Sequence, residues 1–182
     1  MKRVLALMKR TTASGSKPGP ASVGRRQLLK LTALVALSVG SYFFFSRVVV
    51  TAVEVKGASM FPTLASGDRF LLNRFTYLTR EPQRGELVVL KDPQDGELIV
   101  KRIIALPNET VVMQNDAAYV NGRRMIEPYA SVSTRPDISP MGQSVVVPRD
   151  CYFVLGDNRS RSLDSRVFGP IRRDSILGVI TL

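Results

Sequence analysis

Sixteen consecutive uncharged residues, Leu31–Ser46 (LTALVALSVGSYFFFS), constrain this 182-residue chain more than any other feature, because the residues before them carry charge of one sign. Residues 1–30 hold eight basic side chains (Lys2, Arg3, Lys9, Arg10, Lys17, Arg25, Arg26, Lys30) and no acidic one. A bilayer core takes roughly 17–25 helical residues. Extended by Leu28 and Leu29, the apolar run comes close to that length, with Lys30 and Arg47 snorkelling toward the two interfaces. The basic flank places the N-terminus in the cytoplasm and everything after residue 47 outside. A cleaved secretory signal would carry an A-x-A-like site after the run, where Tyr42–Phe45 and Arg47 stand instead. The Arg25-Arg26 pair before an anchor reads as plain positive-inside charge rather than an export address. Residues 11–24, rich in Ser, Thr, Gly and Pro, read as flexible tail. The expected organisation is a basic disordered cytoplasmic tail at 1–27, a transmembrane anchor at 28–47 and an exported domain at 48–182.

Composition then narrows the chemistry. The sequence has no histidine, which removes Ser-His-Asp and Cys-His mechanisms and any histidine base. Its one cysteine, Cys151, has no partner for an internal disulfide, and the usual zinc sets are out of reach, so no metal or other cofactor is expected. The net charge is +11, but the first 30 residues hold eight of the 26 Lys and Arg. The remainder has 18 basic against 15 acidic groups, a net of +3, and tryptophan is absent. Nucleic acid is not an expected partner.

From residue 48 the texture becomes short β-like runs: Val48–Val55, Arg69–Leu72, Glu86–Leu90, Leu98–Leu106, Thr110–Met113, Ala118–Val120, Val145–Val147, Tyr152–Leu155 and Ile176–Thr181. Turn residues separate them, including Ser66-Gly67-Asp68, Pro93-Gln94-Asp95-Gly96 and the hairpin signal Asn121-Gly122. The pattern predicts a mainly β domain, an antiparallel barrel or folded sheet, behind one transmembrane helix.

Without histidine, a hydrolase can activate a serine with a neutral lysine, whose ordinary pKa near ~10.4 burial lowers by up to ~3–5 units. Ser59 stands in a stretch, Gly57–Leu64, that Pro62 stiffens, with Phe61 biased to an extended conformation. Lys101 and Arg102 sit inside an aliphatic strand, where alternation puts Lys101 with Ile99, Ile103 and Ala105, and Arg102 with Val100, Ile104 and Leu106. Periodicity does not choose between them, but arginine stays protonated and only lysine can serve as base. The third segment, Tyr152–Arg166, runs from a buried-strand pattern into a loop dense in hydroxyls and charges.

In this order the segments resemble the boxes of the bacterial type I signal peptidases. Ser59–Thr63 matches the nucleophile box S-M-x-P-T, Lys101–Pro107 the lysine box, and Gly156–Arg166 the box G-D-N-R-x-x-S-x-D-S-R. Arg84–Val88 nearly matches R-G-D-[LIV]-V, with Glu86 in place of Asp, and Asn121-Gly122 followed by Glu127-Pro128-Tyr129 is similar to the family's middle hairpin. The resemblance covers about residues 48–182.

It implies a membrane-bound serine endopeptidase that removes signal peptides from exported preproteins, cutting after small residues. Ser59 would be the nucleophile and Lys101 the general base. Ser162 would orient the amine, Asp164 and Arg166 would shape its loop, and Arg102 would pair with Asp157 as scaffold. The Ser59 N–H would be one oxyanion donor; where some members have a serine hydroxyl as the second, this chain has Gly57. Val53, Val55, Met60, Leu98, Ile99 and Val100 would line the pockets for an extended signal peptide. The family places the domain on the outer side of the bacterial cytoplasmic membrane, against lipid and within reach of the export machinery. With 12 residues from Arg47 to Ser59, at most ~40 Å of extended chain, the site would lie near the outer surface. Self-cleaving Ser/Lys repressors need a soluble DNA-binding N-terminus and an Ala-Gly bond, and this chain has no Ala-Gly dipeptide. A tethered binding module without catalysis is the other alternative, against which the full residue set stands.

Overall fold

The computed structural model describes residues 20–48, 50–115, 117–131 and 143–181, in two units divided after Tyr42. The expected tail at 1–19 lies outside the described residues. Helix α1 runs Pro20–Val48. Proline suits a first helical turn, where its missing N–H costs no bond, and Ala21, Arg25, Arg26, Gln27 and Leu28 are adequate to strong helix formers. Residues 20–27, expected as disordered tail, are therefore helical, and Val48, expected in a strand, closes the helix. Leu28, Leu29, Leu31, Leu34, Val35 and Leu37 are all exposed on α1. Among the described residues, no helix is long and apolar enough to cross a membrane. The uncharged run is only 16 residues, diluted by Thr32, Ser38, Gly40 and Ser41.

The second unit is built on two antiparallel sheets. Its strands are β1 Val50–Glu54, β2 Arg69–Asn73, β3 Leu87–Lys91, β4 Leu98–Ala105, β5 Thr110–Gln114, β6 Ala117–Val120, β7 Arg123–Arg124, β8 Ser144–Val146, β9 Cys151–Leu155, β10 Ile171–Arg172 and β11 Ile176–Ile180. Short helices α2 (Thr76–Thr79) and α3 (Ser165–Phe168) lie between strands. The larger sheet has the order β1-β2-β11-β3-β4-β9-β10 and the smaller β7-β6-β5-β8. Since β1 and β10 are both edges, the larger sheet is open, the folded-sheet form of the expected architecture rather than a closed barrel.

Alternation sorts the core. On β3, Leu87 and Val89 pack with Val55, Met60, Leu64, Leu72, Val100 and Ile180. Val88 and Leu90 point the other way, to Ile103, Tyr152, Val154 and Val179. Val111, Met113 and Val120 of the smaller sheet close on Ile104, Phe153 and Leu155. The centre of β4 is thus buried on both faces, and burying each such aliphatic side chain stabilises by about 1.5–3 kcal/mol.

Strand β4 has two halves. It pairs with β3 from Leu98 to Arg102, but β9 joins its other edge only from Arg102 onward. Leu98–Lys101 therefore has one free edge, and β1 pairs with β2 alone. Although β2, β11 and β3 separate them in the sheet, β1 and the start of β4 line one groove of about 500 Å³. The sheet must curl for these strands to face one another.

Candidate active site

The loop after β1 carries Ser59, half-buried, with Met60 buried beneath it at the groove floor. Gly57, two residues earlier, has φ +89°, a conformation that favours glycine. The Phe61–Pro62 peptide is cis. Among the described residues neither the Ser59 hydroxyl nor its N–H has a hydrogen-bond partner.

Lys101 is 3% exposed, and its Nζ donates to Ser162 Oγ at 3.1 Å. Burial pushes its amine below the ordinary lysine range. The Asp164 and Asp92 carboxylates partly offset that, and the Arg166 cation adds to it. Ser162 is buried and comes from the loop after β9. Gly156 places that loop against the serine: a Cβ there would collide with Ser162 Oγ and lie 2.6 Å from the Ser59 carbonyl oxygen. Only glycine allows the Ser59 backbone and the Ser162 hydroxyl to close on one point.

The loop is held by charge-assisted bonds. Asp164, fully buried, accepts from the Gly156 N–H at 3.0 Å and from the Arg166 guanidinium at 2.8 and 2.9 Å. It also caps α3 by accepting from the Arg166 N–H. Arg166 Nη2 reaches the Arg159 carbonyl at 2.7 Å, tying both ends of the loop. On the neighbouring β4 position, the Arg102 fork binds Asp157 at 2.8 and 2.6 Å and donates to the Gly85 carbonyl at 2.8 Å. Arg102 and Asp157 thus form a scaffold pair, while Lys101 turns to a neutral hydroxyl.

The groove between β1 and β4 contains Val53, Val55, Met60, Leu98, Ile99 and Val100 together with Ser59. All six residues nominated for substrate contact stand on it. Its two walls expose free strand edges, the requirement for adding an extended peptide. No group of side chains that could hold a metal occurs among the described residues.

Several residues that the motifs contain received no role from sequence. Thr63 donates to Asp157 Oδ2 at 2.5 Å. Asn158 clamps the serine loop, its N–H donating to the Ser59 carbonyl at 3.0 Å and its Nδ2 to the Ala58 carbonyl at 3.0 Å. Gly156, Asn158 and Thr63 all lie in quoted boxes, so their presence was visible but their contacts were not. In the near-match strand box, Glu86 accepts from Tyr77, Arg80 and the Gln83 N–H, away from Arg102, whose contact there is the Gly85 carbonyl.

The chain is similar to known proteins. The family described as signal peptidase, peptidase S26, matches residues 25–182. A signal peptidase IB from Staphylococcus aureus is 34% identical over 173 residues, 86% of this chain and 89% of the relative. Signal peptidase I T from Bacillus subtilis is 40% identical over 135 residues, 68% of each chain. The crystal structure of a signal peptidase I from Enterococcus faecalis V583 superposes with a TM-score of 0.50 at 36% identity, over 56% of this chain and 98% of that one. The chain belongs to the bacterial type I signal peptidases of the peptidase S26 family, which are serine endopeptidases.

Proposed function

We propose that this chain removes signal peptides by cutting after small residues, with Ser59 as nucleophile and Lys101 as general base. One observation carries the reading: a lysine amine buried and hydrogen-bonded to a hydroxyl rather than a carboxylate, whose hydroxyl partner packs with the Ser59 backbone against Gly156. A neutral amine there takes the Ser59 proton as Oγ attacks the scissile carbonyl. The Ser59 N–H, unbonded among the described residues, then faces the developing oxyanion. The amine returns the proton to the leaving nitrogen, and water activated by the same lysine releases the acyl group from Oγ. Ser162 holds the amine in line throughout, and Asp164 and Arg166 hold Ser162.

The groove favours an extended peptide between β1 and Leu98–Val100. Val53, Val55, Met60, Ile99 and Val100 leave room for small apolar side chains on the acyl side of the cut. Helix α1 is proposed to tether the domain to the outer face of the cytoplasmic membrane, near lipid and the export machinery; its apolar exposed residues and basic flank support this. The test is cleavage of a preprotein by the full-length protein in detergent, read by mass at the new N-terminus. Cutting after a small residue, abolished by Ser59→Ala and by Lys101→Ala, is expected. Cutting that survives Ser59→Ala would mean another nucleophile.

A further inference from the structure

After β7 the chain passes Glu127-Pro128-Tyr129-Ala130-Ser131 and makes three contacts, two with the turn after β9 and one with Arg102 of β4. Glu127, with a side chain 7% exposed, receives both terminal nitrogens of Arg159, at 3.2 and 2.5 Å. The Tyr129 ring lies over the Arg102 guanidinium, 3.9 Å from centroid to Cζ. The Ser131 N–H donates to the Asp157 carbonyl at 2.9 Å, and its hydroxyl donates to the same oxygen at 3.2 Å.

The third contact has a particular geometry. The Asp157 carbonyl and the Asn158 N–H belong to one peptide plane, in which they point in opposite directions. The carbonyl accepts from Ser131, and the N–H donates to the Ser59 carbonyl. Ser131, one peptide group and Ser59 therefore form a chain of two hydrogen bonds, each polarising the other. Tyr129 acts on the same residue through its side chain, by covering the Arg102 guanidinium whose fork holds the Asp157 carboxylate. A ring over a nearly buried guanidinium excludes water and strengthens both the cation–π contact and the ion pair beneath it.

We infer that residues 127–131 are a positioning strap for the nucleophile, with Tyr129 and the Ser131 N–H setting the place of Ser59 through the Asp157–Asn158 peptide. This rests on Ser59 being the nucleophile. Among the described residues, 127–131 line no part of the groove and make no hydrogen bond to Lys101, whose amine is bonded to Ser162, so loss of the strap acts on the chemical step more than on substrate binding.

The experiment compares wild type, Tyr129→Ala, Tyr129→Phe, Glu127→Gln and Ser59→Ala as full-length protein in detergent, on one signal-peptide substrate well below each melting temperature. Tyr129→Ala is expected to lower kcat by about 10- to 100-fold, the size of effect that a small misplacement of a reacting group produces. KM is expected to stay within about threefold. Tyr129→Phe, which keeps the ring face, is expected to restore kcat to within about threefold of wild type, and Glu127→Gln to fall between. Undiminished kcat in folded Tyr129→Ala, an effect on KM alone, or a Tyr129→Phe as impaired as Tyr129→Ala would overturn the strap. If Ser59→Ala still cuts, the nucleophile assignment fails first and the strap with it. A silent Ser59→Ala beside a fully active Tyr129→Ala would sink the strap alone.

Discussion

Adjacent residues of β4 bury two cations in opposite ways. Arg102 is met by a carboxylate fork, a carbonyl and an aromatic face, so its charge is matched where it lies. Lys101 is met by a hydroxyl, with Asp164 acting on it only through space. The difference teaches that burial alone does not make a base. A buried cation with its own carboxylate becomes scaffold, whereas one given a neutral partner is pushed toward losing its proton.

The largest expected effect breaks the contrast at its centre. Lys101→Arg puts a group that cannot deprotonate in place of the proposed base, and cleavage should fall at least about 1,000-fold, as with Ser59→Ala. Steady-state preprotein cleavage checks it; substantial activity in Lys101→Arg would mean the base lies elsewhere. On the other side, Asp157→Ala leaves Arg102 buried without its carboxylate. The expected loss is about 3–5 kcal/mol of stability, read from denaturant midpoints. A loss under about 1 kcal/mol would show that the pair is not scaffold.

Acidity sharpens the same comparison. Lys101 must be neutral to accept a proton, so kcat/KM should rise with pH through a limb lying below the ordinary lysine value of ~10.4. Asp164→Asn removes the largest influence holding that pKa up and should move the limb to lower pH. A limb that stays at the free-lysine value in wild type would contradict a desolvated base. Linkage gives a companion measurement. With the folded pKa depressed, the unfolded chain binds more protons between the two pKa values, so stability rises with pH across that window and levels off above ~10.4. Melting curves of Lys101→Met should lose this slope while an Arg102 side chain keeps its own pairing.

The smallest expected effect tests the periphery of the scaffold. Thr63→Val removes one hydrogen bond to Asp157 while the Arg102 fork remains. About 1 kcal/mol of stability and a change in kcat of only a few-fold are expected. A collapse of activity would place Thr63 in the chemistry itself.

Most strands could be read to within one or two residues, because alternation and turn residues are local properties of the chain. Strands β7 and β10, of two residues each, could not, since so short a run has no period. Helix α1 begins at Pro20 rather than near Leu28, so residues 20–27, read as tail from the Ser, Gly and Pro content up to residue 24 and the basic pair that follows, belong to the helix. Of the site, the boxes around Ser59, Lys101 and Gly156–Arg166 were legible. The contacts of Glu127, Tyr129 and Ser131 with Arg159, Arg102 and Asp157 were not, since they join residues 26 to 32 positions apart.

The sequence by itself determined the chemistry available: no histidine, hence a lysine as the candidate base; an uncharged run behind a basic flank; and hydroxyls and carboxylates in a fixed order. Tertiary structure alone decided which partner each cation of β4 received, and it brought β1 and β4 onto one groove across three intervening strands. The physical reason is that alternation assigns neighbouring side chains to opposite faces but says nothing of what covers each face. That depends on the curl of the sheet and on a glycine small enough for two loops to meet.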